Sequence, residues 1–401
     1  MKKILWIVIV ALAVRLLFVG FWYLNGQGAR MASDADIYRE IAQNLEEGRG
    51  FQMDGEPTAR RPPLYPLWIA LFLKGRCYPL GVRLGDAVLG AMSCLFVFGI
   101  ARELFGRRAG FFAALFFAVD YISIRQIVSL LSETLFVFLL LASFYLLVLG
   151  RRRQKISFFF WAGVFGGLAL LTREVLLFYY PFLIAWLLFE TGAPCRQSLV
   201  RAGFMTLGLI VAAGPWVLRN SLVFHRPTLI TLSAGLTFYV ANNPTSSGGR
   251  TGGDWEIGKD TVLPTNVRSK LWTAGAENEF FRMGIDFIKR SPRRFFELMG
   301  KKIVNTWRPY QTDSPWAIRW VTGLPYILIM ILSFCGIFLN FRQWREFMPF
   351  FILIAYVFLL HAVLIGEIRY RYPVMPFFMV FAGAGAVFLW SKMKRQPSSG
   401  V

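Results

Sequence analysis

The chain has 401 residues, of which 56% are hydrophobic and 17% aromatic, and it carries a formal charge of +21. Apolar residues fall in blocks of about twenty, the length a membrane-spanning helix needs, and the basic residues lie in short clusters between those blocks. This excludes a soluble nucleic-acid-binding domain. The composition is that of a polytopic membrane protein, with the positive charge available for topology and anionic lipid.

In chain order, the first apolar run is 4–24, entered from Lys2 and Lys3 and interrupted by Arg15. Its length exceeds a signal-peptide core, so it reads as an uncleaved helix. A mid-span arginine costs roughly 2.5–3.5 kcal/mol on the insertion scale, less than the apolar residues around it return, and Arg15 is expected to face protein. Further spans are predicted near 82–104, 110–122, 128–149, 157–171, 174–190, 203–218, 321–340, 347–365 and 373–391. That makes about ten helices. When they alternate, the clusters at Lys2–Lys3, Arg107–Arg108, 151–155, Arg196 with Arg201, Arg342 with Arg345 and 392–395 share one side, which makes both termini cytoplasmic.

Two long segments remain on the opposite side, 25–80 and 219–320, the second holding the Gly-rich stretch 242–260. In the first, 33-SDADIYREIAQNLEEGRGF-51, residues Ile37, Ile41 and Leu45 recur on one face of a short helix suited to the membrane interface. Ser33 and Asp36 fit a capping box, and Asp34 is itself a candidate helix cap. The pair Asp34 and Asp36 also has the spacing of a D-x-D metal motif. Two arginines and a run of prolines follow at once, in 57-PTARRPPLYPLWIAL-71.

The four cysteines show neither disulfide nor zinc spacing, and with two histidines a polyhistidine metal centre or Ser-His-Asp triad is not supported. Acid-base chemistry must come from Asp, Glu or Tyr. His225 reads as a loop residue and His361 as a core donor.

Asp34 four residues before Tyr38, then Ile41-Ala42, the turn at Gly48, Gly50 and Phe51, and Pro57 to Pro66 resemble the first external loop of family 39 glycosyltransferases. That group contains the lipid A aminoarabinose transferase and the protein O-mannosyltransferases. The resemblance continues through 132-SETLF-136, 172-TRE-174, 215-PWVLRN-220, 242-NNP-244 and 367-EIRYRYP-373. It implies an all-α GT-C membrane fold over 1–401, with 25–80 as the catalytic external loop carrying interfacial helices and 219–320 as the acceptor region. It further implies an inverting transferase that takes a sugar from a polyprenyl-phosphate donor to a hydroxyl of a glycolipid, glycan or protein, on the outer face of the cytoplasmic membrane. No nucleic acid is expected as a partner, and membrane lipid is.

By the same resemblance Asp34 is the base. Many relatives carry Glu directly after this Asp, where the present chain has Ala35, which weakens a metal role for the D-x-D pair; no cofactor is required, and a divalent metal is possible without being predicted. Candidate phosphate ligands are Arg60, Arg61, Arg173, Arg219, Arg369 and Arg371, because a planar guanidinium forms two charge-assisted hydrogen bonds to phosphate. Solvated or headgroup-facing arginines are the alternative. Supporting candidates are Asp36, Tyr38, Glu133, Asn242, Asn243, Glu367 and Tyr370; for Glu133 an internal salt bridge and for the asparagines a turn are the structural alternatives. A transporter or flippase of a lipid-linked sugar is the rival class, and it would call for midplane polar sites and broken helices.

Overall fold

A computed structural model describes residues 2–28, 34–189, 194–249, 274–312 and 314–395. Ser33, the proposed cap, and residues 250–260 of the Gly-rich stretch lie outside the described residues. Among the described residues the chain is all-α apart from one hairpin of two-residue strands.

Helix α1 (Lys2–Leu24) leads to α2 (Ala35–Glu46), the hairpin β1 (Gln52–Met53) and β2 (Glu56–Pro57), and α3 (Leu64–Lys74). Then come α4 (Leu80–Phe105), α5 (Arg107–Ala118), α6 (Tyr121–Gln126), α7 (Glu133–Arg153), α8 (Ile156–Leu170) and α9 (Tyr179–Leu188). Helix α10 (Cys195–Val223) enters the second long segment, which folds as α11 (Ala234–Ala241), α12 (Ala274–Arg290) and α13 (Pro292–Trp307). Helices α14 (Trp316–Leu339), α15 (Trp344–Val363) and α16 (Met375–Arg395) complete the chain, the last preceded by a 3₁₀ segment, Ile368–Val374.

Among the described residues seven helices are long and apolar enough to cross a bilayer, or eight if the pair Arg107–Ala118 and Tyr121–Ser129, bent by 47°, is one span. The runs predicted at 157–171 and 174–190 are helical but short, because each stops at the 171–178 turn region that carries Arg173 and Glu174. Arg15 faces protein. It is fully buried and donates to the carbonyls of Ala11 (3.1 Å) and Ala118 (3.0 Å) and to Ser123 Oγ (3.0 Å), which satisfies a charge that lipid would not.

Close helix crossings rest on glycine. A Cβ on Gly163 of α8 would stand 2.0 Å from the Met205 carbonyl of α10, and one on Gly208 of α10 would stand 2.1 Å from the Phe160 carbonyl. Gly336 of α14 and Gly385 of α16 meet the opposing backbone in the same way, at 2.1 and 2.2 Å. In lipid, where apolar surface gains nothing by avoiding its surroundings, such backbone approach supplies the helix association.

Helix α2 buries Ala35, Tyr38, Ile41, Ala42 and Asn44; of the expected apolar face Ile41 is buried, and Ile37 and Leu45 are half-buried. Tyr38 stacks edge-on to Tyr65 of α3 at 5.1 Å, so the aromatic pair rotates the helix toward protein. The hairpin turns at Asp54-Gly55, both with positive φ, the signature of a tight primed turn. Arg219, from the end of α10, donates to the carbonyls of Phe51 and Thr58 and so closes the base of that hairpin.

Candidate active site

One cavity of about 600 Å³ lies where the segment between α1 and α3, the start of α7, the 172–178 turn, the second long segment and the α15–α16 connection converge. Asp34 stands at its edge, at the N-terminus of α2. Its side chain makes no capping hydrogen bond to that helix. Instead Oδ1 is 3.2 Å from Arg61 Nη2 and Oδ2 is 3.6 Å from Arg369 Nη2. Arg61 also lies over the Tyr38 ring, at 5.7 Å.

The charges continue as an alternating chain. Arg369 reaches Glu133 (3.8 Å) and Glu367 (2.7 Å) as well as Asp34, and Glu133 pairs with Arg173 (2.8 Å). Glu133 is 1% exposed and sits in the first turn of α7, where the positive helix end favours a carboxylate. Neither of its oxygens has a hydrogen bond of good geometry, so the ion pairs hold it without saturating it. Tyr38 is buried, its hydroxyl 3.4 Å from Ser132 Oγ, and burial pushes its phenol pKa up while Arg61 and Arg173 oppose that. Tyr370 accepts from Arg369 (3.0 Å) and stacks flat on His361, ring centres 4.6 Å apart.

Thus Asp34, Tyr38, Arg61, Glu133, Arg173, Arg369 and Tyr370 share the cavity, with Glu367 behind Arg369. The remaining candidates are elsewhere. Arg371 is fully buried, donates to the carbonyls of Thr306 and Arg308 and stacks on Tyr326, so it fastens α13 to the 3₁₀ segment. Arg219 is engaged on the hairpin. Arg60 contacts Met53 Sδ at 3.6 Å; burial, then Arg61, lower its pKa to about 10, and it does not line the cavity. Asp36 is exposed and pairs with Arg39 (3.1 Å).

The asparagines serve the backbone. Asn242 donates to the Phe238 and Val363 carbonyls and accepts from Lys302 Nζ (2.9 Å). Asn243 donates to the Tyr239 and Val240 carbonyls and accepts from Thr245, the side-chain-stabilised turn that N-N-P allows. Neither is available to a sugar.

The cavity has a second polar side that the sequence did not reveal. Glu277 of α12 pairs with Arg226 (3.6 Å) and accepts weakly from Gly235 N–H (3.5 Å), and burial raises its pKa. Thr228, 3% exposed, has no partner for its hydroxyl. Between the two polar sides runs an apolar wall that includes Leu177, Phe178, Leu229, Ile230 and Leu360.

Residues 60–217 match the sequence profile described as dolichyl-phosphate-mannose-protein mannosyltransferase. A comparison with curated proteins finds no match. Among solved structures, the oligosaccharyltransferase of Archaeoglobus fulgidus in complex with zinc and sulfate is similar with a TM-score of 0.62 at 13% identity, over 98% of this chain and 49% of that one. Its apo form gives 0.60 at 13% identity over 97% and 51%. The oligosaccharyltransferase AglB from Archaeoglobus fulgidus, in complex with an inhibitory peptide and a dolichol-phosphate, gives 0.55 at 12% identity over 99% and 52%. The chain therefore spans about half the length of the solved structures it matches.

At the level of the fold this is the GT-C architecture, all-α with several helices long and apolar enough to span a membrane. The profile match, confined to 60–217, likens that part of the chain to the mannosyltransferases the profile describes. A metal of the kind in the zinc-bound archaeal structure finds no fitting donor set: among the described residues no three His, Cys, Asp or Glu side chains are placed to hold a metal ion together, and Asp34 faces two guanidinium groups.

Proposed function

We propose that this chain is an inverting glycosyltransferase that moves a sugar from a polyprenyl-phosphate donor to a hydroxyl acceptor of the cell envelope, a glycolipid, glycan or protein. What carries the reading is the single cavity in which the Asp34 carboxylate, the guanidinium groups of Arg61, Arg173 and Arg369, and an apolar wall meet. The wall takes the first isoprene units of the carrier, and the arginines take its phosphate.

The resting network supplies a trigger. Asp34, Glu133 and Glu367 already balance Arg61, Arg173 and Arg369. An incoming phosphate competes for Arg61 and Arg369, and in taking them it releases the Asp34 oxygens. Asp34 then accepts the acceptor's O–H proton as that oxygen bonds to the anomeric carbon; the bond from that carbon to the phosphate oxygen breaks, its electron pair leaving with the phosphate. One displacement inverts the centre.

Orientation supports an outer-face site. Arg151–Arg153 end α7 at the tip opposite Glu133, and Arg152 pairs there with Glu346 beside Arg342 and Arg345. A positive-inside arrangement favours a cytoplasmic tip and an external cavity, which is consistent with a site on the outer face of the cytoplasmic membrane.

The test is transfer by purified protein in nanodiscs, with polyprenyl-phosphate sugars and candidate acceptors, for wild type and Asp34→Asn. A general base contributes roughly 10²–10⁴ in rate, so the variant is expected to lose about that factor while still binding polyprenyl phosphate. Undiminished transfer removes Asp34 as the base. Movement of the lipid-linked sugar across vesicles without turnover would establish the transporter class instead.

A further inference from the structure

A second cavity, about 900 Å³, opens at the other end of the molecule, between α1, α4, α5 and α16. Helix α7 measures its distance from the first. Glu133 begins that helix in the sugar-transfer cavity, and Arg153, 3.9 Å from Glu103 beside Arg102, ends it. Twenty-one residues at 1.5 Å each separate the two by about 30 Å, the thickness of a bilayer core.

The groove is amphipathic. Its wall is Phe98, Phe111, Phe112, Val387 and Trp390, with Ile4 from the start of α1, and its rim is Arg102, Arg107 and Arg108. Glu103 is shared between Arg102 and Arg153. Among the described residues no carboxylate pairs with Arg107 or Arg108. The first turn of α5, which they occupy, contains no acidic residue, so the positive end of that helix adds to their charge. Lys394 lies over the Trp390 ring at 5.2 Å and brings a further cation to the same rim.

We infer that this groove binds one anionic phospholipid from the surrounding leaflet, its phosphate on Arg107 and Arg108 and one acyl chain against Phe111, Phe112 and Trp390. Charge complementarity names the occupant. A zwitterionic lipid brings an ammonium group to a rim that is already cationic, and a soluble phosphate leaves the aromatic wall uncovered. The inference stands apart from the sugar-transfer reading, since no residue is shared between the two cavities.

Native mass spectrometry of the full chain, released from nanodiscs of phosphatidylcholine with one-fifth phosphatidylglycerol, tests it. Wild type is expected to retain phosphatidylglycerol over phosphatidylcholine at about ten times the ratio set by its share of the bilayer. Arg107→Gln/Arg108→Gln should bring retention down to that share, with the melting temperature in pure phosphatidylcholine confirming that the variant is folded. Brominated-chain phosphatidylglycerol should quench tryptophan fluorescence less in Trp390→Phe than in wild type. Equal retention by wild type and the double variant, quenching unaltered in Trp390→Phe, or inorganic phosphate displacing the lipid at millimolar concentration would each overturn the assignment.

Discussion

Arg369 touches three carboxylates, Asp34, Glu133 and Glu367, and that sharing is what makes the cavity responsive to an anion. Glu133 is the deepest of the three. Removing one partner of a buried pair leaves the other charge uncompensated, so Glu133→Ala is expected to cost about 3–5 kcal/mol of unfolding stability. Chemical denaturation in detergent measures it, and adding Arg173→Met should restore part of the loss. At this scale the sequence was informative wherever chemistry and location coincide: Asp34, Arg61, Arg173 and Arg369 are charged residues at the edges of apolar spans, where charge needs a purpose. It was silent where a side chain serves a distant carbonyl. Nothing local in Arg219, Arg371, Asn242 or Asn243 announces the backbone partners that engage them.

Helices supply the second scale. The α8–α10 crossing leaves no room for a side chain at Gly208, so Gly208→Val must push the helices apart; overpacking of this kind costs about 1–3 kcal/mol, visible as a lower melting temperature. Helix α13 is latched by Lys302, whose Nζ donates to Asn242 and to the Val363 carbonyl (2.8 Å). Burial lowers its pKa to about 7, well below that of a free lysine. The folded state therefore holds fewer protons than the unfolded chain between about pH 7 and 10.5, and stability contributed by this group rises with pH across that window. Thermal unfolding at pH 7 and pH 9 should show the increase in wild type and a smaller one in Lys302→Met. Span positions were legible from hydropathy, and the Asp54-Gly55 hairpin could have been read from its dipeptide. The side of α2 that packs on protein could not be read from the spacing of its isoleucines, because Tyr65, which Tyr38 meets edge-on, lies on another helix.

At the scale of the molecule, the two long segments that hydropathy left outside the membrane fold over one mouth. Their joint cavity could not be foreseen, since Glu277, in the first turn of α12, and Thr228, in a loop, are ordinary residues until the chain brings them opposite Asp34. Orientation is testable with the native cysteines. Cys77, exposed between α3 and α4, belongs to the cavity end, and Cys195, exposed at the start of α10, lies two residues from Gln197, which donates to Gln154 at the far end of α7. A membrane-impermeant maleimide added to intact spheroplasts should label Cys77, and Cys195 only after permeabilisation. The opposite pattern would invert the assigned orientation.

Helix α7 is also a ruler. It carries an acidic tip to one aqueous boundary and a triplet of arginines to the other, and neither end can retreat into hydrocarbon without abandoning its ion pairs. A membrane thinner or thicker than that rod must deform around it or tilt it, and tilting carries Glu133 away from Arg369. Turnover should therefore peak at one acyl-chain length and fall on both sides of it.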